Sequence, residues 1–397
     1  MKKHSPQETN WFVTGILIGL PLFIIMATFF YIHYYGLSSK EVILTVITYY
    51  FANISVGVGL HRLWSHASYK TTKWIEFLLM LLSSGTLQGP VLAWASDHKF
   101  HHAYADTEKD PHTPLKYPNN RIKGFFWSHI GWMLVGDITA KNIDPSTLAT
   151  LGKNKMLNWQ LKNYGKIATF MNVIPPLLFG WLVFSAITLQ SSLAGIFFVG
   201  IGRAFQQQMT FCVNSLCHTV GSKKYANDSS GDVWWLFFLL LGENWHNFHH
   251  AFGKDYRNGH KWYHFDIHKW IIALLAKVGL AWDLVITPQE RIDAKMREMQ
   301  SNKTNDLQKT LEQVAILASN LAKKAREKLA TASQNFDNFS HKAKEKFAEL
   351  EESAATLASN IQALAMHSEN LTQKLVKNYK REFKNLKKMA QQIGVLA

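Results

Sequence analysis

The sequence predicts an all-α membrane protein: four transmembrane helices, a cytoplasmic histidine-rich cap, and a C-terminal helical extension. Three observations predict it. Long apolar runs fill residues 1–290, while residues 291–397 are polar with apolar positions at steps of three and four. Histidines cluster just beyond the ends of the apolar runs. The chain has 397 residues, enough for one large domain, 1–290, and an appendage, 291–397.

Composition sharpens this division. Hydrophobic residues make up 47% of the chain and aromatics 13%, yet the polar tail brings the mean hydropathy to −0.09. Net charge is +15, and the tail holds 19 Lys and Arg against 12 Asp and Glu. In a membrane protein, such a balance marks cytoplasmic loops or anionic lipid contacts. No basic cluster is interleaved with a recognition motif, so nucleic acid is not expected as a partner. Cys212 and Cys217 are the only cysteines; they read as small buried hydrophobes and imply no disulfide framework.

The elements follow in order. The run 11–35 is too long for a signal-peptide core and reads as an uncleaved first span, with Lys2 and Lys3 favouring a cytoplasmic N-terminus. A second span, 41–60, leads into His61. The stretch 74–94 is apolar but broken by Ser83-Ser84-Gly85 and Gly89-Pro90. Were it a crossing, the histidines before and after it would face opposite sides. It is therefore predicted to be re-entrant or amphipathic, with its backbone covered by protein. Residues 103–166 are polar, and two further spans are expected at 167–189 and 192–213. Residues 262–287, opening with Trp262, Tyr263, Phe265 and Trp270, are expected to form an interfacial helix. His260, His264 and His268, together with His4, His33, His112 and His129, are read as polar tips at a membrane surface. In the tail, Leu307, Leu311, Val314, Ala318, Leu321 and Ala325 repeat like a heptad, as do Phe347, Leu350, Ala354, Leu357, Ile361, Leu364, Leu371 and Leu375. A bend is expected at 331–340, giving a helical hairpin, coiled coil or amphipathic arm capable of self-association.

The chemistry lies in the histidine spacing. His98-Lys99-Phe100-His101-His102 and His246-Asn247-Phe248-His249-His250 share the pattern H-x-x-H-H. With 18 His in 397 residues that pattern is expected by chance roughly 0.04 times per chain, and it occurs twice. His61 and His66 add an H-x4-H pair. Neutral imidazole is the commonest side-chain metal ligand. Eight clustered histidines exceed the needs of one four-coordinate ion, so the reading is a two-metal site. Zinc would point to hydrolysis, but neither an H-E-x-x-H motif nor paired carboxylates supply its base. A redox metal pair that activates O2 fits better.

At this point HRLWSH (61–66), HKFHH (98–102) and ENWHNFHH (243–250) resemble the three histidine boxes of the integral-membrane fatty-acid desaturases, closest to the acyl-CoA Δ9 (stearoyl-CoA-type) branch. The resemblance covers about residues 40–285. GFFWSHIGWML (124–134), Asp110-Pro111-His112, Asn214-Ser215-Leu216-Cys217-His218, and Trp262, Asp266, Lys269 and Trp270 extend it. It implies two iron ions held by His61, His66, His98, His101, His102, His218, His246, His249 and His250, with Asn214 acting through a water. It also implies O2 as co-substrate and a cis double bond introduced into a saturated acyl chain. Trp94 and Asp97 are expected at the substrate, and Asp97, Asp106, Asp110 and Glu243 behind the ligands.

Two positions depart from the animal branch: Ser96 stands where it has Arg, and Gln88-Gly89-Pro90 lacks its polar residues. The second of these looks bacterial, which implies an inner membrane; the site is expected on its cytoplasmic face. Both positions leave the carrier open among CoA, acyl-carrier protein and phospholipid. Arg121 and Lys123 read as solvated loop charges or phosphate contacts. No cytochrome b5 signature is present, so the electron donor is expected to be a separate protein of ferredoxin, rubredoxin or cytochrome b5 type. A di-iron hydroxylase of alkyl or acyl substrates and a non-catalytic metal-binding scaffold are the rival readings.

Overall fold

The computed structural model describes residues 8–135, 142–334, 341–365 and 373–396. Lys2, Lys3, His4, Leu371 and most of the expected bend at 331–340 lie outside them. The regular elements of the described residues are helices apart from two short strands, and the chain divides into two compact units, 1–292 and 293–397.

In the first unit, helices α1 (Trp11–Tyr35) and α2 (Ser39–Ser65) form an apolar hairpin. Ser38 and Glu41 make a reciprocal capping box that starts α2, and the Tyr31 hydroxyl donates to Glu41 at 2.7 Å, tying the hairpin together. Two shorter helices, α3 (Lys73–Gly85) and α4 (Val91–Tyr104), occupy the stretch expected to be re-entrant. Each is too short to span a bilayer. The turn between them leaves backbone groups exposed, and side chains from other helices satisfy them. Gln160 accepts from Val91 N at 3.0 Å, the Tyr164 hydroxyl accepts from Gly89 N at 2.9 Å, and Gln207 donates to Thr86 O at 2.8 Å.

These side chains belong to α7 (Lys155–Phe184) and α8 (Leu189–Ser215), which follow the short helices α5 (Arg121–His129) and α6 (Pro145–Leu151). Their duty explains a departure from the sequence reading. Among the described residues three helices, α1, α2 and α7, are long and apolar enough to cross a membrane, where four were expected. The fourth, at 192–213, lies in α8, which is long enough but carries buried Arg203, Gln206 and Gln207. The span expected at 167–189 begins earlier, in α7, and ends at Ser185 in a left-handed turn.

Helices α7 and α8 approach closely through Gly180 and Gly195. A Cβ on Gly195 would stand 2.2 Å from Pro176 O, and one on Gly180 would stand 2.2 Å from Ser191 O. Backbone oxygens cannot yield as side chains do. Gly195→Ala is therefore expected to destabilise the detergent-solubilised protein by about 1–3 kcal/mol, read as a lower unfolding temperature. Gly165→Ala, whose Cβ meets nothing within 4 Å, is the matched control.

Beneath the boxes lies an apolar core of Val58, Leu60, Leu79, Met80, Val91, Leu92, Leu157 and Ile272. Ile272 belongs to α10 (Ile267–Lys277), which follows α9 (His246–Ala251). The expected interfacial helix at 262–287 is thus only 11 residues long. Beyond it Gly279 takes φ +76°, and strand β2 (Ala281–Trp282) pairs antiparallel with β1 (Lys70–Thr71), which turns the chain back onto the core.

The second unit holds most of α11 (Gln289–Gln334), with α12 (His341–Ala365) and α13 (Gln373–Gln392). Leu311, Val314, Ala318, Leu321 and Ala325 pack with Phe347, Leu350, Ala354, Leu357 and Ile361, and α13 adds Val376 and Ala390. The apolar seam offered by the sequence for self-association is filled within the chain. The third helix is an addition to the two expected.

Candidate metal centre

The first box sits on a π-helical segment, Ser55–Ser65, that ends α2. Residues five apart close a π turn, and His66 N donates to His61 O at 3.1 Å. The H-x4-H spacing, off-face for an α-helix, thereby brings both rings into one place; they lie 4.9 Å apart. The other boxes lie on α4 and α9, where i, i+3 and i+4 share a face. Adjacent residues diverge by about 100° on an α-helix. His101 and His102 therefore serve different neighbourhoods, as do His249 and His250.

Two groups of ring nitrogens result, His61, His66, His98, His102 and His249 in one, and His101, His218, His246 and His250 in the other, each within 4.8 Å. In the first, Nε2 atoms face one another at 2.9 Å (His61 and His249), 2.8 Å (His66 and His98) and 2.9 Å (His102 and His249). In the second, His218 and His246 stand at 2.9 Å, His246 and His250 at 3.1 Å, and His101 and His250 at 3.3 Å. All nine predicted histidines are brought together.

The outward nitrogens decide which nitrogen points inward. His101 Nδ1 faces Asp110 at 3.0 Å, His250 Nδ1 faces Asp228 at 2.7 Å, and His218 Nδ1 faces the Ser229 hydroxyl at 2.7 Å. Ser229 in turn donates to Asp106. Glu243 Oε2 lies 2.7 Å from His61 Nδ1. Such partners hold the proton on Nδ1 and turn the Nε2 lone pair inward. Burial, reinforced by neighbouring imidazoles, pushes His66, His98, His102, His218, His246, His249 and His250 well below the usual imidazole range, so these rings are neutral near pH 7.

Inward lone pairs about 3 Å apart repel unless a cation lies among them. Nitrogens bound at about 2.1 Å with right-angle geometry stand about 3.0 Å apart, which matches the separations seen. The donor set therefore fits two metal ions side by side.

Glu243 anchors this shell. Its carboxylate meets Arg62 at 3.1 Å, His268 Nδ1 at 2.9 Å and Asn258 Nδ2 at 2.8 Å, and Arg62 also pairs with Asp266 at 3.0 Å. Burial alone would raise the Glu243 carboxyl; the His61 ring, Arg62 and the His268 bond outweigh it and hold it well below the usual range. His268 is wholly buried against Gly57, where a Cβ would stand 2.1 Å from its ring. Glycine in the π segment is what admits it.

Several sequence readings are corrected here. His268 is no membrane-surface tip, because Glu243 draws it into the interior. His112 is buried with its ring 4.2 Å from that of His101, and burial pushes it down to about 3. His264 stacks on Trp245 at 3.9 Å, and His260 on Phe248 at 4.5 Å. His129 bonds Ser215 at 2.9 Å; His33 alone of the described set is exposed. Asp228, Ser229, Arg62 and His268 were missed as members of the shell. Asp228 sits in a turn of Asp, Ser and Gly without metal-ligand spacing, and its only signal is acidity within a basic loop.

Trp94 stacks on His98 at 5.0 Å and walls a cavity of about 40 Å³ with Val56, Val213, Leu240, Thr210 and Asn214. His61, His98 and His246 open onto it, so both groups are represented. Asp97 is part-buried beside His98 but does not line this cavity. Ser96 accepts from Asp144 N at 2.8 Å, pinning the start of α6.

The sequence matches the fatty acid desaturase family over residues 38–284. This chain belongs to the fatty acid desaturase family. Among its relatives is a probable acyl-CoA desaturase of Schizosaccharomyces pombe (strain 972 / ATCC 24843), 34% identical over 288 residues, covering 72% of this chain and 57% of the relative. Acyl-CoA desaturase 1 of Saccharomyces cerevisiae (strain ATCC 204508 / S288c) is 30% identical over 308 residues, 75% of this chain and 56% of the relative. A sn-1 stearoyl-lipid 9-desaturase of Synechocystis sp. (strain ATCC 27184 / PCC 6803 / Kazusa) is 33% identical over 248 residues, 62% of this chain and 71% of the relative. The chain thus spans a little over half the length of the two yeast relatives.

In this desaturase-family chain, replacing Asp228 with Asn keeps the shape but removes the charge behind His250. Metal affinity is expected to fall about 10–100-fold, read by titrating the metal-loaded protein with a chelator.

Proposed function

We propose that the protein is an O2-dependent desaturase that introduces a cis double bond, at Δ9, into a saturated long-chain acyl substrate, with acyl-CoA as carrier. The observation that carries this reading is the pair of all-histidine nitrogen groups meeting at one small apolar cavity. When bound there, two iron ions would supply the reduction of O2 with two electrons from outside, so that –CH2–CH2– + O2 + 2e⁻ + 2H⁺ gives –CH=CH– + 2H2O.

The protein's own part is positioning and exclusion. Asp110, Asp228, Ser229 and Glu243 fix which nitrogen faces inward, and the nine imidazole rings offer ligands without adding negative charge. Asn214, on the cavity wall, is the partner that would act through a water. Trp94 and the apolar residues beside it exclude bulk water and hold the chain's methylenes in place. A cavity of about 40 Å³ holds one or two waters, so an entering acyl chain must widen it. We place the site on the cytoplasmic face of a bacterial inner membrane, the basic balance supporting the cytoplasmic side alone, and the electron donor in a separate ferredoxin-, rubredoxin- or cytochrome b5-type protein.

The test is lipid analysis of a host lacking its own desaturase. Expression of this chain is expected to yield a new cis-monounsaturated acid whose bond position is read directly. A hydroxylated product instead would replace this reading with the hydroxylase.

A further inference from the structure

The tail's positive charge is concentrated in one element. Helix α13 carries Lys374, Lys377, Lys380, Arg381, Lys384, Lys387 and Lys388 against Glu382 alone. The rest of 291–397 is nearly neutral, with twelve Lys and Arg against eleven Asp and Glu. At about 100° per residue the seven cations fall in an arc of about 140°, and Glu382 lies outside it. All seven are exposed, and none is ion-paired among the described residues. The opposite face, with Val376, Tyr379, Phe383, Leu386 and Ala390, is packed into the bundle. Unlike a free amphipathic arm, α13 has no apolar face left to insert into a bilayer. What it presents is a rigid cationic strip.

We propose that this strip docks the C-terminal unit on the anionic phospholipid headgroups of the protein's own membrane. Two observations select that occupant. The strip is complementary in charge to a phosphate surface, each Lys or Arg near such a surface adding attraction. The unit is also covalently joined, through α11, to a unit with membrane-spanning helices, so headgroups of that membrane would bind it as a tethered rather than a free ligand. The inference rests on membrane embedding and is independent of the reaction catalysed.

The test uses the full chain in nanodiscs of phosphatidylcholine alone or with about one-third phosphatidylglycerol. Acetylation of lysine amines is followed by peptide mass spectrometry, with exposed Lys303 and Lys309 of α11 as internal references. In anionic discs the α13 lysines are expected to react about five-fold or more slowly than in neutral discs, and salt at about 0.5 M is expected to restore them. The variant Lys377→Glu, Lys384→Glu, Lys388→Glu is expected to leave the remaining α13 lysines equally reactive in both discs. Unchanged helicity by circular dichroism shows that its bundle is intact. Equal rates for the wild type in both discs would overturn the proposal. So would protection that appears only when a soluble acidic redox protein such as ferredoxin is added, which would reassign the strip to a protein partner.

Discussion

Replacing His249 with alanine is expected to abolish the unsaturated product and to remove one of the two metal ions. The His249 Nε2 lies 2.9 Å from both His61 and His102, and the ring is 1% exposed. The ring is buried, so the space it leaves is enclosed. The first nitrogen group would fall from five donors to four with its shared member gone, whereas the second group does not use His249. Metal content is therefore expected to fall from about two ions per chain towards about one, because affinity follows ligand count and geometry. The checks are fatty-acid analysis in the desaturase-deficient host and metal analysis of the purified protein. His33→Ala, at an exposed position on α1, is the control that should leave both unchanged. Retained product in the His249 variant would refute the assignment of this group as the reactive centre.

The second large effect is expected at Glu243. This carboxylate faces two imidazoles, an arginine and an amide in the interior. Deleting it as Glu243→Ala leaves Arg62 with only Asp266 as a charged partner and frees His268 inside the fold. Removing one partner of a buried charge network costs about 3–5 kcal/mol, a large share of an ordinary domain's stability of about 5–15 kcal/mol. The variant is expected to unfold at clearly lower temperature in detergent and to purify without metal. Glu243→Gln keeps the shape and some hydrogen bonds, so it is expected to fold but bind metal about 10–100-fold more weakly. If both variants kept wild-type metal affinity, Glu243 would have no role behind His61.

The clustering of the box histidines was legible because its signal is local. H-x-x-H-H needs only an α-helix to share its three rings between two adjoining groups, and the helix is set by nearest neighbours. The reading failed where structure depends on distant partners. His268 sits at helical spacing from His264 and His260 and reads as one of a surface row. Only the fold shows Glu243 drawing it inward against Gly57. Asp228 is equally silent, since its partner His250 is 22 residues away. The same limit explains α8. Hydropathy treats Gln206 and Gln207 as interruptions of a span, while Gln207 feeds the unwound turn after α3. The π segment was also hidden: H-x4-H is off-face on an α-helix, and only a turn that closes at five residues brings its two rings together.

The wide sequence separation within the first group has a consequence for biosynthesis. His61 and His249 are 188 residues apart, and about 10–40 s of translation lies between them. During that interval the early histidines have already been made, yet neither nitrogen group can be completed. A metal ion that needs all members of either nitrogen group is thus captured only once residues 1–250 have been made. The supply of metal to the newly made chain should then govern how much protein matures, in addition to how fast each mature molecule works.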